Sequence, residues 1–197
     1  MLRWRCSTIP KTAHKPLDKS RGAGIIPLMM LAPAPYLSGS VVQIADGVAG
    51  VDQTIRTMRE LVNQCKTDLT IRQAATNAAF LQPEKDEFAE VEAIFNYVRD
   101  HIRYMRDVHG VETLMTPQQT LASRLGDCDD QSTLLACMLE AIGYPTRFVV
   151  AGYNGNGFEH VYVQAWAGGR WVGMDPTEPH PMGWEPPGAT VIAVESV

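Results

Sequence analysis

Three side chains of this sequence stand in contexts from which thiol chemistry can be built: Cys128, His160 and Asp175. Cys128 lies in Gly126-Asp127-Cys128-Asp129-Asp130-Gln131-Ser132, a tight turn that delivers the cysteine to the first turn of a helix. There the unpaired backbone N–H groups and the positive end of the helix dipole favour the thiolate, the reactive form of the side chain. Asp127, Asp129 and Asp130 suit a helix start, but their charge disfavours a second anion beside them. A nucleophile at Cys128 therefore needs a cationic partner. An imidazole oriented by a carboxylate would meet that need as base and later as acid, and His160 and Asp175 are the candidates.

The elements that must position these groups follow from periodicity. Leu134, Leu135, Met138, Leu139 and Ile142 recur at helical spacing, which predicts one buried face on the helix that Cys128 opens. Phe158 to Trp166 alternates as a strand, Gly168-Gly169 makes a turn, and Arg170 to Asp175 returns. A hairpin symmetric about the glycine pair sets Trp166 against Trp171 and Tyr162 against Asp175. His160, Tyr162 and Gln164 then share one strand face, with His160 and Asp175 as diagonal neighbours roughly 5 to 8 Å apart at Cβ. A one-residue bulge would break this geometry.

Gly-Asp-Cys opening a helix, Ala141-Ile142-Gly143-Tyr144-Pro145-Thr146-Arg147 closing it, Glu159-His160, and Asp175-Pro176-Thr177 occur in that order. Together they resemble the transglutaminase-like superfamily of papain-like thiol enzymes. Ile94-Phe95-Asn96-Tyr97-Val98, Arg103-Tyr104 and Thr116-Pro117 extend the resemblance, which covers about Glu90 to Pro179. It implies an α+β fold, with a helical first half and an antiparallel sheet packed on the cysteine helix. It also implies Cys128 as nucleophile, His160 as general base and Asp175 as its orienting carboxylate. Compact proteins of this pattern further resemble bacterial and tailed-phage gene products.

The rest of the chain supplies scaffold. Ile55, Met58, Leu61, Val62 and Cys65 form a helical stripe, and Leu69 to Phe80 is a second helix. Glu84 to Tyr104 reads as a third, with Pro83 before it and Glu84, Asp86 and Glu87 in its first turn. Thr116-Pro117 is an N-cap and first helical position for a short helix to about Arg124. Phe148 to Tyr153 is a strand, Asn154 to Gly157 a loop, and Thr190 to Val194 a terminal strand. Three regions result: a Pro/Gly-rich basic arm at 1–50, the principal domain at 51–180 and a tail at 181–197.

Charge narrows the partners. The first thirty residues carry six Lys and Arg against Asp18, so +5, which leaves −10 on the remainder of a chain with net charge −5. An acidic body argues against nucleic acid as main ligand, whereas salt-sensitive binding through the arm remains an alternative. Cys128 and Cys137 are about 13 Å apart along one helix, too far for a disulfide, and there is no CxxC pair. Cys137, Cys6 and Cys65 read as structural. His14, His101, His109 and His180 are dispersed and share no metal-type spacing with the cysteines, so neither metal nor cofactor is implied. Prolines at 27, 33 and 35 interrupt the apolar stretch after the basic arm, against a secretory signal, and no run is long enough for a membrane span.

The expected function is acyl transfer on amide bonds through a thioester, with hydrolysis favoured over crosslinking, in the cytoplasm of a host cell or in a virion. Its partner would be a protein or peptide substrate. The alternative is a phage virion or assembly component that keeps the fold in a structural role and docks other subunits through the arm. The Cys128 backbone N–H is one expected oxyanion donor, the second is unassigned, and Tyr162 and Gln164 are expected at the cleft.

Overall fold

The computed structural model describes residues 48–197, apart from 84, 108–112, 154 and 156. Expectations for the arm up to position 47, including Cys6 and His14, and for His109 lie outside the described residues. Among the described residues are five helices: α1 (Val48–Cys65), α2 (Leu69–Ala79), α3 (Glu87–His101), α4 (Pro117–Ser123) and α5 (Cys128–Ala141). The strands are β1 (Arg103–Tyr104), β2 (Leu125–Gly126), β3 (Thr146–Gly152), β4 (His160–Ala167), β5 (Arg170–Met174) and β6 (Val191–Ser196). The architecture is α+β, with the helical half first and the main sheet last.

That sheet has the order β5-β4-β3-β6, and every pairing in it is antiparallel. Val163 faces Met174, Ala165 faces Val172 and Trp166 faces Trp171, the register expected from a turn at Gly168-Gly169. Both glycines have positive φ, 56° and 77°, as a two-residue turn between twisted strands requires. Residues 181–197, set apart as a tail, contribute β6 to the sheet beside β3. This strand runs to Ser196, two residues past the expected end, because its ladder with β3 continues to Arg147.

Helix α5 packs at the centre of the molecule. Its expected single buried face is too narrow, because every residue from Cys128 to Leu139 is buried. Polar positions tolerate this by bonding locally: Thr133 Oγ1 donates to Asp129 O at 2.6 Å, and Gln131 Nε2 to Gly126 O at 2.9 Å. One core joins Met58 and Val62 of α1, Ile94 and Phe95 of α3, Leu134 and Leu135 of α5, and Val161 and Val163 of β4. Each such side chain contributes about 1.5–3 kcal/mol on leaving water.

Helix α3 differs from its expected span. It begins at Glu87 because Asp86 takes the N-cap position and accepts from the Ala89 N–H at 3.0 Å. It ends at His101 because Arg103–Tyr104 turn away to pair in parallel with Leu125–Gly126. That two-stranded pairing tethers the segment just before Asp127.

Candidate active site

The turn before α5 is locked by reciprocal hydrogen bonds. Asp127 is the N-cap and accepts from the Asp130 N–H, while the Asp130 carboxylate accepts from the Asp127 N–H, each at 3.4 Å. Asp130 also accepts from the Met115 N–H at 2.7 Å, which joins the turn to the chain before α4. Gly126 is required by space, since a Cβ there would lie 2.7 Å from Asp130 Cβ. Cys128 is thereby held at the first helical position, with only 4% of its surface exposed.

Burial changes the electrostatics that the sequence suggests. Desolvation, and then the charge of Asp127, push the Asp129 carboxyl well above the usual range. The same causes raise Asp130 to about 7, against the pull of its hydrogen bonds from Met115 and Asp127. The acidic cluster therefore holds protons near neutrality and opposes a thiolate less than three free carboxylates would. One ligand atom each from Asp127, Cys128 and Asp129 lie within 4.8 Å of one another, a grouping that can hold a cation. Its three consecutive residues do not follow the His/Cys spacing of common metal sites.

His160 opens β4 and is 6% exposed. Its Nε2 lies 2.6 Å from Oδ2 of Asp175, which is 2% exposed and directly follows β5. A carboxylate acceptor assigns the proton to Nε2 and leaves Nδ1 as the nitrogen with a lone pair. The other oxygen of Asp175 accepts from the Thr177 N–H at 3.0 Å and from Thr177 Oγ1 at 2.7 Å. The carboxylate is thus fixed at both oxygens. On the helix side, one turn along α5 from Cys128, Ser132 Oγ donates at 3.1 Å to the carbonyl of Val161, the residue after His160.

Tyr162 stacks beside His160, with ring centroids 6.2 Å apart. Tyr162 and Gln164 were expected at the cleft. Both are buried, as His160 is, and both bond to Glu185: Tyr162 OH donates at 2.8 Å and Gln164 Nε2 at 2.6 Å. Burial, and then Glu185, push the Tyr162 hydroxyl upward, so it remains a donor. Trp166 and Trp171 form the expected cross-strand pair, 5.4 Å apart and edge to face. Cys137 is buried, with its thiol pushed up by desolvation, and Cys65 Sγ donates to Gln118 Oε1 at 3.1 Å. Thr177 and Glu185 have roles that the sequence does not announce directly. Asp-Pro-Thr carries a turn signal that points to Thr177, whereas Glu185 sits in a Pro/Gly-rich stretch without one.

A family described as the transglutaminase-like superfamily matches residues 56–176, well over half of the chain and inclusive of Cys128, His160 and Asp175. The chain belongs to the transglutaminase-like superfamily. No curated protein matches it by sequence. Among solved structures, a candidate protease from Parabacteroides distasonis is similar at 14% identity and a TM-score of 0.53, over 65% of this chain and 26% of that one. A candidate cysteine protease from Cytophaga hutchinsonii aligns at 17% identity and a TM-score of 0.49, over 72% of this chain and 55% of that one. Legionella pneumophila LapG aligns at 15% identity and a TM-score of 0.47, over 73% of this chain and 80% of that one. This transglutaminase-like chain thus spans about a quarter and about half of the first two relatives. Among the described residues no helix is long and apolar enough to cross a membrane.

Proposed function

We propose that the chain is a cysteine hydrolase of amide bonds in peptides or proteins. The observation that carries the reading is the buried His160–Asp175 hydrogen bond of 2.6 Å, at the end of β4 that packs on the Cys128 helix. Cys128 Sγ attacks the amide carbonyl after its proton passes to His160 Nδ1, and Asp175 stabilises the imidazolium that results. The oxyanion faces the start of α5, where the Cys128 backbone N–H serves as donor. As the C–N bond breaks, His160 returns its proton to the leaving amine, and an acyl thioester remains on Cys128. Water then attacks the thioester with His160 as base, which releases a carboxylic acid and restores the thiol.

Water is favoured over a lysine amine as acceptor, in keeping with the protease description of the Parabacteroides structure. An amine acceptor would make the same intermediate a crosslinking step, and the choice depends on how far the cleft excludes water.

The test is the rate of Cys128 alkylation by iodoacetamide against pH, read by mass spectrometry in the wild type and in His160→Ala. A reactive thiol with an apparent pKa well below the ordinary value of about 8.5, lost in the variant, is the expected result. An ordinary thiol indifferent to His160 would overturn the enzymatic reading and favour a fold retained as scaffold.

A further inference from the structure

The main sheet ends at β6, and among the described residues nothing pairs with the far side of that strand. Which groups it leaves open follows from the ladder. The Val197 N–H donates to Thr146 O and the Trp166 N–H to Pro145 O, so the two-residue alternation of antiparallel pairing turns the amides of Val191, Ala193 and Glu195 toward β3. The N–H and C=O groups of Ile192, Val194 and Ser196 therefore point outward. Sheet edges are ordinarily guarded by lysine, proline, a bulge or an inward charge. Val191–Ser196 holds no lysine or proline, its pairing with β3 runs without a bulge, and Glu195 is its one charged residue. Its apolar side chains are uncovered as well: Val191 is 40% exposed, Ile192 58% and Val194 45%. Helix α1 lies beside this edge. Ile55 and Ala193 line one depression, and Arg59 Nη1 lies 3.8 Å from Glu195 Oε2. Four residues of helix and two of strand both span about 6 to 7 Å, so α1 runs alongside β6 in the same direction. Asp52 and Arg59 stand on opposite sides of Ile55 along this stripe.

We propose that β6 pairs antiparallel with β6 of a second copy of this chain, about a twofold axis that passes through the sheet beside Ala193. Two sheets then join into one continuous sheet, and the contact closes on itself as a dimer. In this register Ile192 and the partner's Val194 exchange their open N–H and C=O groups, and their exposed side chains meet on one face. Val191 falls opposite the partner's Glu195, so the two Glu195 carboxylates do not face each other. The same axis brings α1 beside α1 of the second copy, antiparallel and on the same side of the joined sheet. Because Asp52 and Arg59 flank the position level with Ala193, each Asp52 comes level with the partner's Arg59. Glu195 holds Arg59 only loosely, which leaves the guanidinium available to that carboxylate. This charge order matches its own reverse, so it favours a second copy over an unrelated strand at the edge.

Sedimentation velocity of the full chain between about 1 and 200 μM tests the pairing, and a reversible dimer with a dissociation constant of about 10 μM or tighter is expected. Val194→Pro removes an outward N–H that β3 does not use, so the monomer should fold while association weakens at least about tenfold. Val194→Lys, which sets a charge at the joint and leaves the backbone intact, should weaken it as much. Asp52→Arg places two guanidinium groups together and should weaken association by about tenfold, whereas Asp52→Arg combined with Arg59→Asp should return it to within about threefold of wild type. Circular dichroism melting establishes that each variant folds. Hydrogen exchange read by NMR should show the Val194 amide slowing as protein concentration rises. A chain that stays monomeric to about 200 μM, a dimer indifferent to Val194→Lys, or failure of the charge exchange to restore it would overturn the proposal. So would a Val194 amide protected equally at every concentration, which would mean that the same chain covers its own edge.

Discussion

Helix α5 carries two buried cysteines nine residues apart, and their surroundings separate them completely. Cys137 sits among Leu134, Leu135 and Met138 in the apolar core, where desolvation raises its thiol far from any useful range. Cys128 is nearly as well covered, at 4% exposed, but lies at the helix start beside three carboxylates and the strand that carries His160. Burial alone therefore does not distinguish a core thiol from the proposed nucleophile. Position on the helix and the availability of a counter-charge do.

The comparison is broken most directly by exchanging the two thiols for alanine one at a time. Cys128→Ala should lower peptide hydrolysis by at least about 10³-fold, because no other group replaces the nucleophile. Cys137→Ala should leave hydrolysis and alkylation of Cys128 intact and cost about 1 kcal/mol in urea unfolding, the price of a small core void. If Cys137→Ala abolished activity with the fold preserved, the assignment of roles to the two cysteines would be wrong.

Next in size is Asp175→Asn. The amide keeps the shape but loses the charge that stabilises imidazolium, so hydrolysis should fall by about 10²- to 10⁴-fold. The alkylation profile of Cys128 should move to higher pH. Loss of activity without any change in that profile would mean that Asp175 acts only as the turn residue of Asp-Pro-Thr.

The acidic side of Cys128 predicts a pH effect on stability. Asp130 is raised to about 7 by burial and by Asp127, while in the unfolded chain it titrates near an ordinary carboxyl. Between those values the folded state holds more protons than the unfolded one, so stability falls as pH rises. The contribution is complete below about pH 4 and is lost as pH passes through about 7. Thermal melting of the wild type should therefore decline from pH 5 to pH 8, and Asp130→Asn should flatten that decline. A parallel decline in both proteins would show that Asp130 is charged throughout.

What was legible in the sequence was local. Gly168-Gly169 sets a two-residue turn, so the hairpin register and the meeting of His160 with Asp175 follow from counting residues. Asp127 and Thr116 announce their helices because a side-chain oxygen at that position satisfies an open N–H. The remainder depends on partners distant in the chain. Asp130, Gln131 and Ser132 are buried polar residues whose hydrogen bonds are offered or received by Met115, Gly126 and Val161, none of which their local spacing reveals. Glu185 reaches Tyr162 and Gln164 only because β5 carries Gly173, where a Cβ would come within 2.3 Å of the Glu185 side chain.

The smallest expected effect sharpens the contrast between the two ends of the Asp175 carboxylate. Oδ2 faces His160, while Oδ1 receives both the N–H and the hydroxyl of Thr177. The hydroxyl does not reach the reacting atoms, so Thr177 is a positioning residue, and its removal leaves the N–H bond to hold the carboxylate. Thr177→Val should then lower the rate by about tenfold, the loss of one charge-assisted hydrogen bond acting through His160. The alkylation profile of Cys128 should shift with it, and Thr177→Ser should restore both. A variant that merely loosened the turn would lose melting temperature without that shift, and serine would then restore stability while leaving the pH profile unmoved.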